Sequence, residues 1–223
     1  MSVNLGTRDK HIASNIGGIT DYDGNFYSTV IIDGNEWIVE NLRTTHYADG
    51  TAIPNLTVTL DWANDTTGAY CWFNNDIGYK TPYGALYNKY AVDNVHGLVY
   101  FERNGVYESG WIIPSETQYE ALITYLGGGL VAGGHLKEVG LTHWTTPNTG
   151  ADDSVGFKAI GATGRGVDGS FGTLHVNAEF WASTDDGEGG GDNLQLSYST
   201  ALAQTPSSNF AAGLEVRCMR PVP

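Results

Sequence analysis

The sequence predicts an α+β fold in which two helices pack on antiparallel β-sheet with long loops between the elements. Three observations carry this expectation. The stretch from Gly110 to Gly128 has the marks of a single well-bounded helix. Short β-prone runs on both sides of it are punctuated by Asp-Gly and Asn-Gly pairs, the residues of tight hairpin turns. Thirty glycines and thirteen tyrosines among 223 residues suit turns and surface strands.

The helix is read from its ends inward. Pro114 cannot donate a backbone hydrogen bond and biases Ile113 away from helical geometry. Ser115 is then placed to cap, with Gln118 three residues on to complete a capping box. Glu116 and Glu120 sit in the first turns, where the helix dipole favours negative charge. Tyr119, Leu122, Ile123 and Leu126 make one apolar face, and Gly127-Gly128 supplies a left-handed stop. A second, shorter helix is predicted over 83–92, with Leu86, Tyr87, Tyr90 and Ala91 on one face.

The remaining elements read as strands and turns. Asp23-Gly24 and Asp33-Gly34 flank Phe26–Ile32, and Glu36–Leu42 is the return strand. Asp21-Tyr-Asp23-Gly-Asn25 superficially looks like a calcium loop, but it lacks that motif's later ligands and bidentate Glu, so it reads as a turn. Residues 43–69 form a polar excursion, followed by a short aromatic strand over 69–75. Leu98–Glu102 and Val106–Glu108 bracket Asn104-Gly105 as a further hairpin. The last forty residues return to strands at 179–184, 193–199 and 213–220. The first and last strands are expected to pair around one core.

Composition limits the function. The formal charge of −14 speaks against nucleic-acid binding and against docking on anionic membranes. No apolar run is long enough to span a bilayer, and the first residues lack the apolar core of a signal peptide. Residues 1–20 read as an N-terminal arm or attachment segment, with one domain over 21–223. Cys71 and Cys218 are too few for a disulfide framework, and both are expected to be buried and non-catalytic. The glycine-rich stretches 127–134 and 161–166 lack the spacing and the lysine of phosphate-binding loops. The six histidines show no zinc-site spacing, and no Gly-x-Ser-x-Gly elbow exists.

The candidate binding surface lies over 183–212. Asn193-Leu-Gln-Leu-Ser-Tyr-Ser199 alternates strictly, which places Leu194, Leu196 and Tyr198 on one side and Asn193, Gln195, Ser197 and Ser199 on the other. The second side is expected to face solvent. Asp185, Asp186, Glu188 and Asp192 crown the adjoining loop, and Asn209 lies on the next connection. Amides, hydroxyls and carboxylates are groups that hydrogen-bond sugars and polar protein epitopes. Calcium could join through the carboxylates, although the glycine content argues against a preformed cage.

A set of motifs then resembles a known family. Asp21-x-Asp-Gly-Asn-x-Tyr27, Glu36-Trp…Glu40-Asn-Leu42, Tyr70-Cys-Trp-Phe-Asn-Asn75, Tyr83-Gly-Ala-Leu-Tyr-Asn88, Gly110-Trp-x-x-Pro-Ser, Val131-Ala-Gly-Gly-x-Leu-Lys-Glu138, Gly156-Phe157, Phe180-Trp-Ala-Ser-Thr184 and Val216-Arg-Cys-Met-Arg220 run in the order of the Fibrobacter succinogenes major paralogous domain family. The resemblance covers about residues 20–220. It implies a C-type lectin-like fold related to formylglycine-generating enzymes and to retroelement-diversified variable proteins, which display a tolerant ligand surface near the C-terminus.

Two features depart from the family pattern: an enlarged 98–108 hairpin and the absence of a leader. The second points to a phage structural or receptor-binding protein, made in the host cytoplasm and carried on the virion. A trimmed leader would instead place the chain on a bacterial surface. The expected partners are a host-surface glycan or protein and other virion proteins, in a homotrimer. An enzyme of the formylglycine-generating type would need two cysteines close together near the C-terminal end, and only Cys218 is there. A purely structural capsid decoration is the other alternative.

Overall fold

The computed structural model describes residues 17–222. In chain order the first half holds β1 (Ile19–Thr20), β2 (Phe26–Tyr27), β3 (Thr29–Ile32), β4 (Asn35–Ile38), α1 (Thr59–Asn64) and β5 (Tyr70–Cys71). It continues with α2 (Lys80–Tyr83), β6 (Leu86–Tyr87), α3 (Lys89–Val92), β7 (Glu102–Arg103) and β8 (Val106–Tyr107). The second half holds α4 (Glu116–Tyr125), α5 (Ala132–Leu136), β9 (Asn177–Asp185) and β10 (Gly190–Ser197). The last strands are β11 (Ala203–Gln204), β12 (Ser207–Asn209) and β13 (Met219–Pro221).

This architecture corrects the expected α+β layout of two helices on an antiparallel sheet, and with it the C-type lectin-like arrangement. The chain is mostly short strands and loops. Its strands form four small sheets: β2-β1-β7-β8, β3-β4-β13, β5-β6, and β9-β10 with β11 and β12 on the far edge of β10. Only β9 and β10 exceed four residues. Most backbone polar groups outside them need partners other than a long ladder.

Three buried cations supply part of that need. The Lys137 ammonium donates to the carbonyls of Thr149, Ser197 and Thr200 at 2.9, 2.9 and 2.7 Å. Arg165 donates to the carbonyls of Gly169 and Leu56 at 3.0 and 2.7 Å. Arg217 donates to those of Ile38, Phe157 and Lys158 at 3.2, 2.8 and 3.3 Å. Each is 1% exposed or less. Among the described residues none of the three has a carboxylate at ion-pair distance. They tie loops together where a sheet would otherwise do so.

The helix over 83–92 is also corrected. Leu86–Tyr87 is a strand paired with Tyr70–Cys71; α2 ends at Tyr83, and helix resumes only over Lys89–Val92. Gly84 sits at φ +82°, where a Cβ would come within 2.6 Å of Asn41 Cβ, so the backbone turns there instead of coiling. Ala85, Leu86 and Tyr87 are all buried, which no single helical face permits. Asn88 then caps the short α3, its side chain accepting from the Ala91 amide.

The elements set by local chemistry stand as read. Ser115 and Gln118 form a reciprocal capping box on α4, and Tyr119, Leu122 and Leu126 are buried. Asp33-Gly34 joins β3 to β4 with φ of +49° and +69°, and Asn104-Gly105 joins β7 to β8 with +54° and +75°. β13 pairs with β4, so the end of the chain closes on the early hairpin. Of the predicted arm, residues 1–16 lie outside the described residues, while Ile19 is already buried in β1.

Two large apolar clusters make the core. Alternation along β9 feeds both, with Trp181 in one and Phe180 and Ala182 in the other. β4 does the same through Ile38 and Trp37.

Candidate functional site

A cleft of about 350 Å³ opens between the base of the β3–β4 hairpin and the 138–160 segment. The first wall begins where Ser28 closes the hairpin. Its carbonyl accepts from the Val39 amide at 2.9 Å. Its own amide and hydroxyl donate to the two oxygens of Glu40 at 2.7 and 3.1 Å. Glu40 is thereby held at the mouth, beside Val30 and Val39.

The second wall is built by Lys137, whose clamp holds the adjoining chain in place. Glu138 follows it, its amide bonded to the Ala159 carbonyl at 2.9 Å. His143 donates from Nδ1 to Glu138 Oε2 at 2.8 Å. Lys158 adopts φ +52°, with its amide bonded to Asp153 Oδ1 at 2.9 Å, and its side chain is exposed. Ile160 and Pro82 complete the lining.

Arg217 and Asn41 form the floor. Arg217 Nε donates to Asn41 Oδ1 at 2.7 Å, and the guanidinium lies 4.8 Å from the Phe157 ring centroid and 5.3 Å from that of Phe180. Burial pulls its pKa down to about 10, against which the Glu40 carboxylate acts most among the neighbouring charges. It stays charged at neutral pH. The cleft thus presents carboxylates, an ammonium, a guanidinium and an aliphatic wall within one small volume. Such a lining suits a polar organic ligand with an apolar portion.

A carboxylate–imidazole pair is one part of a proton-transfer site. A nucleophile would have to reach that imidazole. Among the described residues the Ser28 hydroxyl donates to Glu40, and the His143 imidazole shares a hydrogen bond only with Glu138. Both thiols are free and buried. Burial pushes Cys71 up to about 11 and Cys218 up further. Neither is a thiolate at neutral pH, which is what thiol chemistry requires.

The predicted surface is placed differently from expectation. Leu194 and Leu196 are buried as alternation requires. Asn193 does not face solvent: it is 1% exposed, and its amide donates to the Pro206 carbonyl at 2.9 Å and to Ser208 Oγ at 3.1 Å. Asp192 is 8% exposed. The reason is that β12 pairs with the start of β10 and covers it, while a register shift between Gly191 and Asn193 turns the strand. Gln195 is half-buried and donates to Glu179 Oε1 at 2.6 Å. Ser197 is half-buried and Ser199 exposed, their hydroxyls 3.3 Å apart.

Asp185, Asp186 and Asn209 are exposed, but each carboxylate or amide oxygen holds its own turn. Asp186 accepts from the amides of Glu188 and Gly190 at 2.7 and 2.8 Å, which keeps its carboxyl below the usual range. Asp185 accepts from Gly187, and Asn209 from Ala211. Among the described residues no three His, Cys, Asp or Glu side chains converge as a metal site would need. The Asp21–Asn25 run is a turn: buried Asp21 accepts from the amides of Asp23 and Asn25 and from the Tyr27 hydroxyl.

The cleft was missed in the sequence, although its residues were in view. Glu40, Asn41, Glu138, Gly156 and Arg217 all belong to the motifs that carry the family resemblance. Those motifs lie far apart in the chain, and only the fold brings them to one opening. No curated protein and no solved structure matches the chain. Residues 30–220 match the model of the Fibrobacter succinogenes major domain, and the chain belongs to that family.

Proposed function

We propose that this chain is a non-catalytic recognition module, displayed on a virion or a bacterial surface, that holds part of a host-surface glycan or protein in the Arg217 cleft. The observation that carries this reading is the mixed lining: Glu40, Glu138 and His143 as acceptors and donors, Lys158 as a cation, and an aliphatic wall of Val30, Val39 and Ile160. The volume of about 350 Å³ is that of a small ligand or one sugar-sized epitope. The raised thiol pKa values and the engaged Ser28 hydroxyl favour binding over covalent chemistry. An array of glycans and host-surface peptides, followed by calorimetry with the best binder, tests the proposal. Lys158→Ala and Glu138→Gln are expected to weaken binding at least ~5-fold each with the fold intact. Unchanged affinity in both would move the seat away from this cleft.

A further inference from the structure

The sheet formed by β2, β1, β7 and β8 rests on the core through Ile19 and Tyr27, while β7 and β8 project beyond it with no buried residue. The register places Phe26, Thr20, Glu102 and Tyr107 in one cross-strand row. Ile19 and Tyr27, their chain neighbours, are buried on the other face. Two residues beyond the row along the chain, Tyr22 and Tyr100 join the same side. The Tyr22 and Tyr100 rings meet edge to face, 5.8 Å apart at 72°. Tyr100 and Tyr107 lie 5.4 Å apart at 33°. Tyr22 is 47% exposed, Phe26 54% and Tyr107 58%. Three phenol rings therefore make a corner open to water, with Glu102 beside it.

The ring faces and the adjoining carboxylate are its negative parts, while Arg43 bonds the Phe26 carbonyl and Arg103 pairs with Glu36 and Glu108. Ring faces are the negative part of an aromatic quadrupole. The Tyr100 hydroxyl donates to Glu102 Oε1 at 2.5 Å, which fixes a carboxylate at the edge of the rings. His46, on the far side of Tyr22 at 5.4 Å, is held through Nδ1 by Asp23. The chain as a whole carries a formal charge of −14, so a cation is drawn in and an anion repelled at long range. A corner of electron-rich rings with an adjacent carboxylate is the chemistry that recognises an alkylammonium group.

We propose that the Tyr22–Tyr100–Tyr107 corner is a second binding site, separate from the Arg217 cleft, that takes an alkylammonium head: a trimethylammonium group or the side chain of a lysine on a partner protein. An outer ring face supplies the cation–π contact and Glu102 the counter-charge. The site lies on the hairpin that the sequence marks as enlarged, and it does not depend on what the cleft binds.

The test is a titration of the full, isotope-labelled chain followed by amide and aromatic NMR shifts. The probes are choline, N-acetyl-lysine methylamide, the neutral choline isostere 3,3-dimethylbutanol, and a neutral hexose oligomer. One or both cations should shift Tyr22, Tyr100 and Tyr107, with the isostere at least ~5-fold weaker. Choline alone points to a methylated ammonium, and the lysine analogue to a protein partner. Tyr107→Ala and Glu102→Gln, both on the solvent face, should each weaken the cation about 5-fold while leaving the amide spectrum of the core in place. Equal binding of the isostere, binding of the hexose oligomer in place of the cations, or shifts confined to other residues would overturn the proposal.

Discussion

Glu215 gives the sharpest quantitative expectation. It is fully buried in the segment before β13, beside β9. One carboxylate oxygen accepts from the Glu179 amide at 3.1 Å, and the other has no partner among the described residues. Burial, with the charge of Glu179 added, pushes its pKa from 4.5 up to about 8. The folded chain therefore holds a proton there up to about pH 8, whereas the unfolded chain releases it near 4.5. Between those values unfolding releases a proton, so stability is full below about pH 4.5 and falls as pH rises through 8. The interval of about 3.5 pH units, at ~1.4 kcal/mol each, sets a ceiling of ~5 kcal/mol. Glu215→Gln keeps the shape and the acceptor for Glu179 but cannot ionise. Urea unfolding of both proteins at about pH 5 and about pH 8, a window of about three units, should show the parent losing ~2–3.5 kcal/mol more than the variant. Parallel losses in the two proteins would refute the reasoning, because other groups titrate equally in both.

Three further outcomes follow from the packing. Lys137→Met should cost roughly 3 kcal/mol, about 1 for each of the three carbonyls left without a donor; a melting temperature unchanged from the parent would contradict the clamp. Ser115→Ala should cost ~1 kcal/mol through loss of the α4 cap, read by denaturant midpoint, with Ser115→Asp close to the parent. Cys71 and Cys218 should react with a thiol reagent only as fast as the chain opens, and rapid labelling under native conditions would show that their burial is wrong.

What the sequence disclosed was local chemistry. The capping box at Ser115 and Gln118 and the Asp33-Gly34 and Asn104-Gly105 turns depend on residues a few positions apart, and each is where it was read. The face of β10 failed for the opposite reason. Alternation correctly separates Leu194 and Leu196 from Asn193, but it says nothing about which strand pairs alongside. It is the pairing with Ser207–Asn209 that buries Asn193. The helix over 83–92 failed because Leu86 and Tyr87 suit a helical face and a buried strand equally well in a short apolar run, and the approach of Gly84 to Asn41 decides between them. Buried Lys137, Arg165 and Arg217 were unreadable, since these residue types lie at the surface by default.

Those three cations also bear on how a fold with so little regular structure can hold a site. A loop stays in one conformation when its backbone groups have fixed partners. Arg217 binds carbonyls from the β4 end and from residues 157 and 158, so a single side chain joins the two walls of the cleft from beneath. Lys137 fixes the chain entering Glu138. The same residues that stabilise the loops therefore set the spacing between Glu40 and Glu138, so the cleft is shaped by the chain's own bonds. Removing Arg217 would separate the walls and lose the fold and the site together. Glu138 and Lys158 reach into the cleft from a frame they do not support, so substitutions there distinguish recognition from stability.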